Sequence, residues 1–117
     1  MMNEQLIKDL CERAKILRKH VISVAAAQRS HLGGSLSAAD LMAALYFYYL
    51  RLDEDEPSKD HFLFSKGHAV HILHACMVEK GKVDAAELPQ TGMSSSRLGG
   101  HPMLSTPGVE WGTGSLG

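Results

Sequence analysis

Cysteine is nearly absent from this chain, with only Cys11 and Cys76 among 117 residues. Neither has a second cysteine at ligand or redox spacing, which excludes a zinc ribbon or a Cys-x-x-Cys redox site. Both fall in apolar, helix-like surroundings, so the expectation is two free, buried thiols in a reducing compartment. Long hydrophobic runs are missing too. The longest, Ala38 to Leu50, carries Asp40 and falls short of the roughly 20 residues a membrane span needs. The chain opens Met-Met-Asn-Glu-Gln, a polar start in which no leader is expected. These features predict a cytoplasmic protein without a membrane partner. Charge of one sign is also lacking. Twelve Lys and Arg balance 13 Asp and Glu for a net charge of -1, and the basic residues are scattered, so nucleic acid finds no electrostatic platform. No Gly-x-Ser-x-Gly elbow and no His-Glu-x-x-His pair occurs.

What is present is a globular composition, 44% hydrophobic and 21% charged, at a length that suits one domain. Leu6, Leu10, Ala14, Leu17, Val21 and Val24 recur at intervals of three or four, the stripe of an amphipathic helix from about Asn3 to Gln28. A loop over Ser30–Ser35 is expected to end it. Ser37, with Asp40 three residues on, resembles a capping box for a second helix over Ala38–Leu50, apolar almost all round and therefore buried. The acidic run Asp53-Glu54-Asp55-Glu56 before Pro57 reads as a solvated loop. His61-Phe62-Leu63-Phe64 is long enough for one brief buried strand. A helix over Ala69–Lys80 is stopped by Gly81. Asp84–Leu88 forms a further short helical turn, and Gln90 to Gly117 is loop rich in Gly, Ser, Thr and Pro. A lone strand leaves backbone donors and acceptors without neighbours. The chain is accordingly expected to be the first part of a larger α/β domain, a complete small helical domain being the alternative.

Three histidines are set beside glycine: His31 in Ser30-His31-Leu32-Gly33-Gly34-Ser35, His68 in Ser65-Lys66-Gly67-His68-Ala69, and His101 in Gly99-Gly100-His101-Pro102. An imidazole beside a loop glycine is open to a ligand and titrates near neutral pH. Gly112-x-Gly114-x-x-Gly117 matches a dinucleotide fingerprint only formally, because no strand precedes it. His68, His71 and His74 would fan over one side of a helix, yet no carboxylate or cysteine completes a metal set, so His71 and His74 read as packing or surface residues.

In order and spacing these segments resemble the start of a transketolase, in particular the N-terminal subunit of the split form of that family. The resemblance runs through His31-Leu32-Gly33-Gly34-Ser35-Leu36-Ser37-Ala38-Ala39-Asp40, Asp60-His61-Phe62-Leu63-Phe64-Ser65-Lys66-Gly67-His68-Ala69, Gly99-Gly100-His101-Pro102, Pro107-Gly108-Val109-Glu110 and Gly112-Thr113-Gly114-Ser115-Leu116-Gly117.

It implies an α/β architecture in which residues 1–117 form the mostly helical N-terminal part, with one short strand, of a thiamine diphosphate-binding fold, a parallel sheet with flanking helices. The implied activity is transfer of a two-carbon ketol unit from a ketose phosphate to an aldose phosphate. In this reading His31, His68 and His101 are catalytic, His68 also lies against thiamine diphosphate, and Gly114, Ser115 and Leu116 approach the cofactor through backbone. The family's Mg2+ and diphosphate ligands, a Gly-Asp-Gly segment and a downstream asparagine, are expected beyond Gly117, so no metal ligand is expected within the chain. The implied partners are sugar phosphates, a C-terminal transketolase subunit or domain, and a second copy in a dimer. The fragment alone is expected to be inactive and to expose an apolar face. A non-catalytic remnant and a related enzyme such as deoxyxylulose-phosphate synthase are the alternatives. The latter is disfavoured because its second histidine usually follows an Asp-x-Gly-His pattern, unlike Ser65-Lys66-Gly67-His68.

Overall fold

The computed structural model describes residues 3–113. The first helix, α1, spans Glu4–Ala27. Asn3 caps it, its side-chain oxygen accepting from the Leu6 amide at 2.8 Å, which satisfies one of the four orphan donors of the first turn. The buried residues Leu10, Ala14, Leu17, Val21 and Val24 form one stripe, as their spacing predicts. Burying a Leu or Val side chain fully contributes about 1.5–3 kcal/mol, so this stripe, rather than helix propensity, holds α1 in place. It packs against α3 (Ala39–Ala44) and α4 (Val70–Glu79).

Between α1 and α3 the expected Ser30–Ser35 loop is instead largely helical, as α2, Leu32–Ser37. Two glycines weaken this turn, and tertiary contact overrides them: Ser35 is buried, and α2 packs on both α1 and α4. The expected capping box at Ser37 does not form. Ser37 Oγ donates backwards to the Gly34 carbonyl at 2.9 Å, while Asp40 pairs with Arg18 at 2.8 Å. The second helix also departs from an even α-helix, continuing from α3 as a π-helical segment, Leu45–Tyr49. It is not buried all round. Met42, Ala43 and Tyr46 face the core, but Leu41, Tyr48 and Tyr49 are 63%, 47% and 70% exposed. The helix that is enclosed on every side is α4, in which each residue from Val70 to Met77 is buried.

No strand occurs among the described residues, so the strand expected at His61–Phe64 and its sheet are not seen. The side chains of that segment still alternate, with Phe62 and Phe64 against the core and His61 and Leu63 outward. Period-two burial is a strand's pattern, but a strand also requires a ladder of backbone hydrogen bonds. The nearest backbone bond between segments is Asp60 N–H to the Arg51 carbonyl, at 2.9 Å.

The helix at 69–80 agrees with its expected bounds, led in by a 3-10 turn, Gly67–Ala69, and ended by Gly81 at φ 74°. A 3-10 helix over Ala85–Gln90 follows, with Asp84 and Glu87 forming a capping box. Cys76 is buried, whereas Cys11 is exposed, contrary to the expectation for both thiols. Cys11 follows the buried Leu10 on α1, and the 100° turn per residue carries it off the core stripe.

Candidate functional site

His31, His68 and His101 lie far apart in sequence and meet in space. His31 stands at the N-terminal end of α2, and His68 lies in the 3-10 turn that leads into α4. Their rings touch edge to face, with centroids 4.8 Å apart and planes at 76°. On its other side His68 meets His101, at 5.2 Å and 65°. His31, His68 and His101 are all exposed. The structure thus makes one row of imidazoles with His68 in the middle. Each ring offers two nitrogens that can hydrogen-bond a ligand.

Glycine makes the row possible at one position. A Cβ built on Gly67 would fall 2.7 Å from His101 Cδ2 and 3.3 Å from Thr113 Oγ1. Only a residue without a side chain lets His101 and Thr113 close over the turn that carries His68. Thr113 is fixed from the other direction, its amide donating to the Pro102 carbonyl at 3.2 Å. Lys66, next to Gly67, reaches back to α2, its Nζ 3.4 Å from both the Gly34 carbonyl and Ser37 Oγ. The loop bearing His101 is held by Arg97: its carbonyl accepts from Thr106 Oγ1 at 2.7 Å, and its guanidinium pairs bidentately with Glu87 at 2.7 and 2.9 Å. That pairing, with the Asp84 amide, holds the Glu87 carboxyl at a pKa of about 2.

Three buried hydroxyls of these segments, Ser30 Oγ, Ser35 Oγ and Thr113 Oγ1, have no hydrogen-bond partner. Unpaired buried hydroxyls beside a row of open imidazoles suit an organic ligand rich in hydroxyl and heteroaromatic nitrogen. The same residues do not suit a hard cation. Among the described residues no group of three or more His, Cys, Asp or Glu side chains could hold a metal ion.

His71 and His74 do not join the row as open groups. His71 is 8% and His74 0% exposed, with ring centroids 6.3 Å apart. Neither ring nitrogen of His74 has a partner. Burial pushes its pKa down to about 4 and also lowers that of His71, so both are neutral core residues at pH 7. A cavity of about 280 Å³, lined by Tyr46, Met77, Lys80, Lys82, Gly108 and Glu110 among others, contains none of the three site histidines. Gly114, Ser115 and Leu116, expected at the cofactor, lie outside the described residues. Sequence reasoning gave no role to Gly67, Lys66 or Thr113. Gly67 had a readable signal in its place beside His68, whereas Thr113 had none.

Comparison with known proteins decides the family. Residues 8–117 match the family model described as transketolase, thiamine diphosphate binding domain. The chain belongs to this family. It is 36% identical over 104 residues to an apulose-4-phosphate transketolase subunit of Phocaeicola vulgatus, covering 86% of this chain and 37% of that protein. It is 39% identical over 116 residues to transketolase of Mus musculus, covering 97% of this chain and 18% of that protein. Transketolase from Leishmania mexicana is a structural match, with a TM-score of 0.81 at 26% identity over 92% of this chain and 17% of that one. The chain therefore spans between about a sixth and two fifths of the length of these relatives. No helix of the described residues is long and apolar enough to cross a membrane.

Proposed function

We propose that this chain supplies the histidine-bearing part of a transketolase-type active site. Residues 1–117 would form part of the diphosphate-binding domain of an enzyme that moves a two-carbon ketol unit from a ketose phosphate to an aldose phosphate. One observation carries the reading: three histidines from three separate segments converge in one open row, at 4.8 and 5.2 Å, in a chain of the thiamine diphosphate-binding family. When bound, thiamine diphosphate supplies the electron sink for breaking and remaking a carbon–carbon bond.

The chain's own contribution is orientation and proton handling. His68, in the middle of the row, would lie against the cofactor. His31 would bond a donor hydroxyl, and His101 would hold or release the proton of the oxygen at the cleaved bond. Gly114, Ser115 and Leu116 would complete the cofactor contact through backbone. Mg2+ would be held by residues other than those described, since among the described residues no group of His, Cys, Asp and Glu side chains could hold a metal ion. Two relatives are named as subunits of apulose-4-phosphate transketolases, which supports assembly with a second transketolase polypeptide. The further reading is a cytoplasmic dimer acting on sugar phosphates. The exposed Leu41, Tyr49, Leu63, Leu104 and Trp111, each at least 56% open, are consistent with a surface that further polypeptide covers.

The test is calorimetric titration of thiamine diphosphate with Mg2+ into this chain alone and into the chain extended through the residues that complete the domain in its relatives. Binding by the extended form, weakened by His68→Ala, supports the proposal. Absence of binding in both forms, with a pyrimidine-domain partner added, overturns it.

A further inference from the structure

A second histidine arrangement lies outside the row. Nδ1 of His61 is 2.5 Å from Glu110 Oε2, and Nε2 of the same ring is 2.5 Å from Glu56 Oε1. A neutral imidazole has one N–H and one lone pair, so it can satisfy only one of two carboxylates and turns a lone pair toward the other. Both contacts are hydrogen bonds only when the ring carries two protons. Glu110 is gripped a second time, its Oε1 lying 3.2 Å from Lys59 Nζ. Lys59 and His61, both from the segment after Pro57, thus hold one carboxylate of the segment that leads to Gly112 and Thr113. Thr113 in turn packs over Gly67 and is bonded to Pro102, next to His101.

We propose that His61 is a positioning residue: as an imidazolium it clamps Glu110 and thereby sets the register of Gly112 and Thr113 against Gly67, His68 and His101. The inference rests on the proposed function only for the use to which that register is put. The charged groups facing His61 are Glu110, Glu56, Lys59 and Asp60, the last engaged by Arg51 at 2.8–3.3 Å. The hydrogen bond to Glu110, then that to Glu56, raises the His61 pKa, and His61 lowers that of Glu110. For the histidine, a raised folded-state pKa means that the clamp holds at and below the ordinary histidine range and is lost as pH rises through the raised midpoint. For Glu110, a lowered value means that the clamp is lost again only as pH falls through that lower midpoint.

The experiment is a pH titration of the 117-residue chain by heteronuclear NMR, following the His61 ring and the Gly112 and Thr113 amides in wild type, His61→Gln and His61→Arg. The expected result has three parts. The amides of the wild type shift with the His61 ring, at a midpoint above about 6.5. They lose that step in His61→Gln. In His61→Arg, which restores a bidentate cation without a titration in this range, they stay at the low-pH position throughout. Amides that ignore the His61 titration, or that behave alike in wild type and His61→Gln, overturn the proposal. Should His61→Gln unfold the chain, Glu56→Gln takes its place, with a lowered His61 midpoint expected and an unchanged one contradicting the clamp. The measurement needs no cofactor, so a failed clamp leaves the family reading standing, and failure to bind thiamine diphosphate leaves the clamp standing.

Discussion

His68 meets His101 edge to face at 5.2 Å because the residue before it has no side chain. A Cβ on Gly67 would stand 2.7 Å from the His101 ring. The backbone at Gly67 has no positive φ, so the cost of a methyl group there falls on the neighbouring ring rather than on the chain.

Gly67→Ala is therefore expected to act on the site more than on the fold. Stability should change by about 1 kcal/mol or less, while the His101 ring resonances move and the coupling of the row is lost. Chemical denaturation beside histidine-selective NMR checks both halves; a large loss of stability with unmoved His101 signals would contradict the geometry.

Gly108 presents the opposite case. Its φ is +86°, and an added Cβ would run into Met77 Sδ, in the core. Left-handed strain and overpacking then add, and Gly108→Ala should destabilise by about 2–4 kcal/mol. Urea unfolding of the variant measures this directly.

His74 is a fully buried imidazole with both nitrogens unpartnered. Its pKa, lowered by burial and by His71 from 6.5 to about 4, means that the unfolded chain takes up a proton before the folded one does. The stability this group permits above pH 6.5 is lost as pH falls toward 4, by about 3 kcal/mol over the full window. His74→Leu removes an unsatisfied polar group at similar volume and should stabilise by roughly 1–2 kcal/mol at pH 7, with a flatter acid limb. A variant less stable than wild type at pH 5 would show that the ring has a partner.

Glu87 links the 3-10 helix Ala85–Gln90 to the loop that carries His101, through its bidentate pair with Arg97. Because the Glu87 pKa is depressed from 4.5 to about 2, its contribution is present above 4.5 and disappears as pH falls through about 2. Glu87→Gln should loosen residues 97–106 at neutral pH, seen as faster limited proteolysis within that loop. Unchanged cleavage would mean that Thr106 and Ser105, which also bond Arg97, hold it unaided.

Periodicity made α1 and the bounds of α4 legible, because a stripe such as Leu10, Ala14, Leu17, Val21 and Val24 states both the helix and its buried face. The glycine stop at Gly81 was equally plain. Where tertiary contact outweighs local preference, the sequence misled. Gly33 and Gly34 suggest a loop, yet α1 and α4 give α2 enough contact to form around them. Ser37 and Asp40 have the spacing of a cap, but each found a different partner. His61–Phe64 carries the alternation of a strand and lacks a ladder to make it one. For the site, adjacency to glycine picked out the three histidines that meet. It could not reveal Thr113 or the Glu110–His61–Glu56 contact, since nothing local records which segments a fold brings together.

The central claim is that the row of His31, His68 and His101 faces thiamine diphosphate. Its most direct test is the change in the ring signals of these three residues when thiamine diphosphate and Mg2+ are added to the chain extended to a complete domain, read by histidine-selective NMR. The account predicts that His68 shifts most and that His31 and His101 shift with it, while the buried His74 stays still. Saturable binding that leaves all three signals in place would contradict it.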